Sequence, residues 1–128
     1  MDLQAITTAG APAALGPYSQ AIRCGDVLYV SGQLPIVPAT GKLIDGGIRE
    51  QTIQLFANIR AILEAGGASL VTVTKVMVFI AEWNDFAAFN ETYAQLFAAP
   101  FPARSTIQNS RPMNALVGAD VIAAIRTA

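Results

Sequence analysis

The sequence contains no histidine, and this absence excludes several kinds of catalytic site. Histidine is the commonest general base and the commonest metal ligand in proteins. Ser-His-Asp and Cys-His catalytic arrangements are therefore impossible in this chain. A zinc site would have to combine carboxylates with a single thiol, which zinc sites seldom do. We therefore expect no metal site.

Cysteine, targeting segments and long apolar runs are also scarce. Cys24 is the only cysteine, so no intrachain disulfide can form, as is usual for a protein of the reducing cytoplasm. The first ten residues lack the basic and apolar regions of a secretory signal. Lys75, Glu82 and Asp120 interrupt the most apolar stretches, none of which reaches the ~20 residues that a membrane helix needs. We expect a cytoplasmic protein without a membrane partner.

Charged residues make up only 13% of the chain, whereas apolar residues make up 53%. About 25% charged residues is usual in globular domains. The formal net charge is −1, and Lys and Arg are scattered, which disfavours nucleic acid as a partner. A surface with so little charge exposes apolar patches, and such patches commonly mark partner surfaces. We expect a symmetric homo-oligomer, the commonest kind of oligomer.

The chain length of 128 residues fits one domain, and its patterns predict the order β-ββ-α-β-α-ββ. We predict strands over residues 3–8, 19–23, 27–31, 71–80, 104–109 and 115–125, and helices over 49–65 and 84–98. The first helix has an apolar stripe formed by Ile53, Phe56, Ile59, Ile62 and Leu63. Asn84 is the expected N-cap of the second helix. Prolines and glycines predict largely irregular structure over 33–47.

This order predicts an α+β fold in which the helices cover one face of the sheet. The strand over 71–80 is rich in β-branched residues and is expected to be buried on both faces. The second sheet face therefore needs a cover, and another subunit is the simplest candidate.

Arg104 begins a predicted strand, after Pro102 has restricted the backbone that leads to it. A buried guanidinium needs an anion, because an unpaired buried charge is too costly. One interpretation is a structural salt bridge, with Asp120 as a candidate partner. The other is bidentate binding of a substrate carboxylate. Residue patterns alone leave both interpretations open.

Several other polar or small residues could line a site. Tyr18 follows a Gly-Pro turn in GPYSQ, and Ser31 and Gly32 end a strand in SGQ. Each could contact a ligand or could simply shape the entry or end of a strand. The second helix has an aromatic stripe formed by Phe86, Phe89, Tyr93 and Phe97. Asn90 lies beside this stripe and faces either water or a site.

Gly118 and Asp120 alternate in the last strand and should share one face. A glycine inside a strand often marks a bulge or the close approach of a ligand. The Asp120 carboxylate could act as a base, or it could pair with Arg104 or Arg126. We favour a pairing role.

Four segments, in this order and at these separations, resemble the RidA family, also called YjgF or L-PSP endoribonuclease-like proteins. The segments are APAALGPYSQAI, VSGQLPIVPATGKL, NDFAAFNETY and FPARS. The resemblance covers nearly the whole chain and implies one RidA-like domain over residues 1–128. It implies a chorismate-mutase-like fold with a mixed sheet, two helices on one face, and a homotrimer with a barrel-like core. The substrate clefts would lie between neighbouring subunits.

The resemblance also implies an activity and its residues. Family members hydrolyse 2-imino acids and enamines to 2-oxo acids and ammonia, without a metal or an organic cofactor. It implies catalytic roles for Arg104, Tyr18 and Asn90. It implies substrate contacts for Arg104, Tyr18, Ser31, Gly32, Thr106 and Gly118. Arg104 would bind the carboxylate, and Thr106 stands where many members have cysteine.

The last strand departs from the family pattern. Deaminase members typically carry a glutamate where our preferred alignment places Gly118, whereas an alignment shifted by two residues places Asp120 there. Three functions are therefore considered: an imine deaminase, a non-catalytic trimer that binds small carboxylates, and an endoribonuclease. The pI of about 5.2, the scattered positive charge and the lack of histidine make the ribonuclease the least favoured.

Overall fold

A computed structural model describes residues 2–126 and contains a six-stranded sheet, a two-stranded sheet and two long helices. The strands are β1 Leu3–Ile6, β2 Ala21–Cys24, β3 Val27–Gln33, β4 Ile36–Val37, β5 Lys42–Leu43, β6 Val73–Ile80, β7 Ala103–Gln108 and β8 Val117–Ala124. The helices are α1 Ile48–Ala65 and α2 Phe86–Leu96. This arrangement confirms the α+β class and the predicted order of the six main strands and two helices. The β4–β5 hairpin lies inside the segment that was expected to be largely irregular.

The main sheet has the strand order β1-β2-β3-β8-β6-β7. All neighbouring pairs are antiparallel except β6 and β7, which are parallel and are joined through α2, as a parallel pair requires a crossover. In register, Val121 of β8 lies between Val30 of β3 and Val76 of β6. β8 therefore joins the two halves of the sheet.

The helices pack on one face of the sheet, and this packing corrects the predicted stripe of α1. Phe56, Ile59, Ile62 and Leu63 are buried as predicted. Ile53 is 52% exposed, whereas Leu55 is fully buried. At 3.6 residues per turn, Ile53 lies about 120° around the helix from Ile59. Including Ile53 in the stripe was therefore wrong.

The second helix begins and ends inside its predicted bounds. A 3₁₀ turn occupies Trp83–Asp85, and α2 begins at Phe86 with Asp85 as its N-cap residue. The prediction of Asn84 as the N-cap is therefore wrong. The aromatic stripe is confirmed: Phe89, Tyr93 and Phe97 are buried and their rings contact one another.

Within the described residues, no helix covers the other face of the sheet. Val76, Val78 and Ile80 of β6 are fully buried under the helices, but Met77 and Phe79 between them are only partly buried. The prediction that this strand is buried on both faces is therefore wrong for the single chain. The strand also starts later than predicted, because Leu70–Thr72 forms a 3₁₀ turn.

We call this second face the uncovered face and define it by Met77, Phe79, Gly118, Asp120 and Ile122. Gly118 and Asp120 lie on it together, as predicted from their alternation.

No helix in residues 2–126 combines the length and hydropathy that a membrane crossing requires.

Candidate functional site

Arg104 lies near the start of edge strand β7, paired in register with Val76. Val76 faces the helices, and Arg104 extends its side chain to the same side. Its guanidinium carbon lies 5.8 Å from the ring centre of Phe86, 5.5 Å from that of Phe89 and 4.9 Å from that of Tyr93. Each such cation–π contact is worth about 0.5–2 kcal/mol, depending on how dry it is. The three rings of α2 therefore position the guanidinium.

Arg104 has no carboxylate partner among residues 2–126. The ion pairs there join Arg49 to Glu91 at 2.7 Å and Arg60 to Glu64 at 2.9 Å. Asp120 lies on the uncovered face, on the other side of the sheet from Arg104. The interpretation that Arg104 forms a salt bridge with Asp120 is therefore wrong, and the guanidinium donors remain available to an external anion.

A pocket of about 240 Å³ opens beside this guanidinium. We call it the Arg104 pocket; its lining residues are Asn90, Tyr93, Ala94, Phe101, Pro102 and Arg104. Asn90 therefore faces the pocket rather than only bulk water, which answers the question left open by helical periodicity. Pro102 is part of the wall as well as of the approach to β7.

Two buried hydroxyls lie close to Arg104 in the fold. The Tyr93 hydroxyl and Thr106 Oγ1 are inaccessible to solvent and have no hydrogen-bond partner. Burial raises the pKa of Tyr93, and the nearby positive charge of Arg104 offsets part of that rise, so this hydroxyl is neutral at pH 7. Tyr93 belongs to the aromatic stripe of α2, and it follows Asn90 by three residues and so shares its helix face.

Tyr18 and Gly32 line a second pocket, which is mostly apolar and has a volume of about 570 Å³. We call it the Tyr18 pocket; Leu34, Pro112 and Met113 are also in its wall. A Cβ atom at Gly32 would meet no atom within 4 Å, so the backbone there is open to a ligand.

Ser31 precedes Gly32 in β3, and its hydroxyl proton is already used in a hydrogen bond. Ser31 Oγ donates a hydrogen bond to the Ser19 carbonyl oxygen at 2.5 Å, and the Ser31 N–H donates to the Gln20 carbonyl oxygen at 2.9 Å. The Ser31 hydroxyl oxygen can still accept a hydrogen bond. Its contribution to a site is therefore as an acceptor.

A buried glutamine fixes the loop that carries Tyr18. Gln20 Oε1 accepts a hydrogen bond from the Thr8 N–H at 2.7 Å, and Gln20 Nε2 donates to the Pro12 carbonyl oxygen at 2.8 Å. These bonds connect Thr8 and Pro12, in the segment before Tyr18, to the residue that precedes β2. Tyr18 itself stays 52% exposed and available for contacts.

The predicted site residues form two groups in one chain rather than one. Arg104, Thr106 and Asn90 lie at β7 and α2, whereas Ser31 and Gly32 lie in β3 and Tyr18 lies in the loop before β2. Strands β8 and β6 separate β3 from β7, which corresponds to three interstrand spacings, or roughly 14 Å. A single chain does not bring the two groups together.

Gly118 lies on the uncovered face, directly opposite Phe79 in the β6–β8 register. A Cβ atom there would come within 3.1 Å of Arg111 Cδ and within 3.1 Å of the Gln33 carbonyl oxygen. The Arg111 guanidinium carbon lies 4.5 Å from the ring centre of Phe79. The space that a side chain at position 118 would fill is therefore occupied by Arg111.

The acidic residue of the uncovered face is weakly solvated. Burial raises the pKa of Asp120 above its ordinary value of 3.8. Asp120 joins neither of the ion pairs found in residues 2–126, so its expected pairing with Arg104 or Arg126 is wrong. Over the same residues, no cluster of three or more potential metal-ligating side chains is present.

Comparison with known families matches residues 8–125 to the family described as Endoribonuclease L-PSP. A RutC family protein of Pyrococcus horikoshii is 47% identical over 121 residues, which are 94% of this chain and 96% of that protein. A 2-iminobutanoate/2-iminopropanoate deaminase of Dermatophagoides farinae is 42% identical over 121 residues, 94% of each chain.

The fold has equally similar solved counterparts. The crystal structure of YyfA from Yersinia pestis, described as a protein of unknown function of the conserved Rid protein family, superposes with a TM-score of 0.93 at 42% identity. The match covers 97% of this chain and 100% of that chain. The α+β fold seen here is therefore that of Rid proteins.

Proposed function

This chain belongs to the Endoribonuclease L-PSP family, also called the RidA family, and from that membership we propose that it hydrolyses 2-imino acids and their enamine tautomers to 2-oxo acids and ammonia. A relative that is 42% identical over nearly its whole length is named for this activity. The observation that carries the proposal is the Arg104 guanidinium, which is held on three aromatic rings and has no carboxylate partner.

In this proposal Arg104 binds the substrate carboxylate through two parallel N–H···O bonds. The rings of Phe86, Phe89 and Tyr93 limit the positions of the guanidinium, so the carboxylate orients the adjacent C=N carbon. Asn90, in the wall of the same pocket, presents an amide to the nitrogen that will leave.

The reaction needs only water. A water oxygen adds to the imine carbon while the C=N electron pair moves to nitrogen, which takes up a proton and forms a carbinolamine. The C–N bond then breaks, the hydroxyl group gives up its proton to nitrogen, ammonia leaves, and the oxygen becomes the carbonyl oxygen of the 2-oxo acid. Imine hydrolysis is intrinsically facile, so orientation supplies most of the help. General-base assistance to the attacking water, typically worth about 10²- to 10⁴-fold, is small here because residue 118 is glycine and has no side chain to accept a proton.

We propose that the active site is composite and lies between subunits of a homotrimer. The Tyr18 pocket and the Arg104 pocket are on different strands of one chain, so a neighbouring copy would supply the missing group. The uncovered sheet face supports this assembly, because its partly exposed apolar side chains include Met77 and Phe79. Three such faces packed together would give a barrel-like core.

The test is the ammonia released from 2-iminopropanoate generated in situ, measured in a coupled assay. Arg104→Ala should lower kcat/KM by about 100-fold or more, because two hydrogen bonds to a charged group are lost. Arg60→Ala is the matched control: Arg60 pairs with Glu64 on an exposed helix face, and its loss should not change the rate. Undiminished activity in Arg104→Ala would contradict the proposed carboxylate clamp.

A second candidate function, favoured by Gly118, is binding of small carboxylates without turnover. No side chain at this position can activate water, whereas the Arg104 pocket is unaffected by it. The two functions differ in one measurement. A binder gives saturable binding of 2-oxo acids in calorimetry, lost in Arg104→Ala, with no ammonia above the uncatalysed rate.

A further inference from the structure

Like Arg23, Arg104 and Arg126, Arg111 has no acidic partner within residues 2–126. Its Nε donates a hydrogen bond to the Ser110 carbonyl oxygen at 3.2 Å. Within residues 2–126 its two terminal amino groups have no hydrogen-bond or salt-bridge partner. A guanidinium carries five donors, and those of this partly exposed side chain are free to bind an anion that reaches the site.

The side chain of Arg111 is held in one place despite this lack of polar partners. Its Cδ passes within 3.1 Å of the point where a side chain at Gly118 would begin, and its guanidinium carbon lies 4.5 Å from the Phe79 ring centre. Phe79 and Gly118 are paired across β6 and β8. Arg111 therefore lies across two strands of the uncovered face, in a space that exists because residue 118 is glycine.

The turn that carries Arg111 has a strained backbone. Met113 has a φ of 62° and Asn114 a φ of 58°, the left-handed region that non-glycine residues seldom adopt. Each such residue costs of order 1–3 kcal/mol and persists where the surrounding structure enforces it, commonly at ligand sites. Pro112 and Met113 of this turn also line the Tyr18 pocket. The turn thus connects Arg111 with the Tyr18 pocket, which is part of the proposed substrate site.

We propose that Arg111 binds a second carboxylate, so that the preferred substrates are 2-imino acids whose side chain itself ends in a carboxylate. This inference rests on the proposed function. Arg104 of one copy binds the carboxylate next to the imine. The apolar Tyr18 pocket of the neighbouring copy holds the methylene groups, and Arg111 of that neighbouring copy binds the distal carboxylate. The substrates are then imines of four- or five-carbon dicarboxylic amino acids.

The test compares kcat/KM for 2-iminobutanoate and 2-iminoglutarate, both generated in situ by amino-acid oxidases. The unchanged chain should favour the dicarboxylate. Arg111→Gln should lower kcat/KM for the dicarboxylate by about 10- to 100-fold, mainly through KM, because hydrogen bonds to a charged group are lost. The monocarboxylate should change by less than about twofold. Arg111→Lys, which keeps the charge, should retain part of the preference.

Arg60→Gln is the matched control, since it removes the same charge from an exposed helix. An equal loss for both substrates in Arg111→Gln would overturn the proposal. A smaller assembly of Arg111→Gln in size-exclusion chromatography would also overturn it, because Arg111 would then bind a carboxylate of a second copy.

Failure of the proposed function is separately visible, as the absence of ammonia release from either imine with the unchanged chain. Calorimetry with 2-oxoglutarate and 2-oxobutanoate then tests Arg111 without turnover. Tighter binding of the diacid that disappears in Arg111→Gln supports the distal carboxylate site. Equal affinities for the two oxo acids refute it.

Discussion

Arg104 and Arg111 hold their guanidinium groups over aromatic rings and away from carboxylates, but by different means. Arg104 lies on the helix-covered side of the sheet against three rings of α2, of which Phe89 is fully buried. Arg111 lies on the uncovered face over one partly buried ring, Phe79, and passes through the gap at Gly118. Arg104 is therefore positioned by core aromatic rings, whereas Arg111 is positioned by the Phe79 ring and by the space that the glycine at position 118 leaves open.

The difference determines how each site can change. The rings that support Arg104 are also core residues, so altering them should destabilise the fold. The support of Arg111 depends on one glycine and one ring at the surface of a sheet. The proposed carboxylate clamp is therefore tied to stability, whereas the second arginine can be gained or lost through single substitutions.

The largest expected effect is the difference in stability between removing the Phe89 ring, which supports Arg104, and removing the Phe79 ring, which supports Arg111. Phe89→Ala should lower the free energy of unfolding by about 3–5 kcal/mol, because it opens a cavity in a fully buried cluster. Phe79→Ala should cost roughly half that or less, since its ring is partly exposed and the site can fill with water. Urea denaturation at one fixed protein concentration measures both. Equal losses would show that the two rings are equally part of the core.

The next effect concerns the gap at Gly118. Gly118→Ala should lower the free energy of unfolding by about 1–3 kcal/mol, because its Cβ would meet Arg111 and the Gln33 carbonyl at 3.1 Å. Gly32→Ala is the matched control, since a Cβ there meets nothing within 4 Å. Its stability should be unchanged or higher by about 0.4–1 kcal/mol, through the reduced entropy of the unfolded chain. A Gly118→Ala variant as stable as Gly32→Ala would mean that Arg111 moves aside freely.

The smallest effect concerns the hydroxyl under Arg104. Tyr93→Phe removes a buried hydroxyl that has no partner and keeps the ring, so the free energy of unfolding should rise by up to about 1 kcal/mol. Tyr29→Phe is the control, because Tyr29 is about half exposed and should change stability by less than about 0.5 kcal/mol. A clear loss of stability in Tyr93→Phe would mean that its hydroxyl finds a partner when substrate or a neighbouring copy is bound.

Local patterns were sufficient for most elements and for Arg104. Helical spacing predicted α1 and the aromatic stripe of α2, because burial of one helix face leaves a period that the sequence records. The position of Arg104 at the start of β7 followed from Pro102 and a run of strand-forming residues. Errors arose at Ile53, an apolar residue on the exposed side of α1, and at Asn84, where a 3₁₀ turn replaced the first turn of the helix.

Features that depend on contacts between distant segments were not predictable in this way. The role of Arg111 requires Phe79, which is 32 positions earlier, and the absence of a side chain at Gly118. The separation of Tyr18 from Arg104 depends on the strand order of the sheet. No periodicity encodes strand order, because it is decided by which apolar faces pair in three dimensions.

The central position of β8 has a consequence for how the chain folds as it is made. The other five strands of the main sheet are synthesised before β8, yet β8 is the strand that pairs with both β3 and β6. Until it emerges from the ribosome, the β1-β2-β3 meander and the β6-α2-β7 unit each expose an unpaired strand edge. Such edges are sites of misassembly. The six-stranded sheet can form only after translation has passed residue 124, where β8 ends. Protection by chaperones therefore matters most before that point.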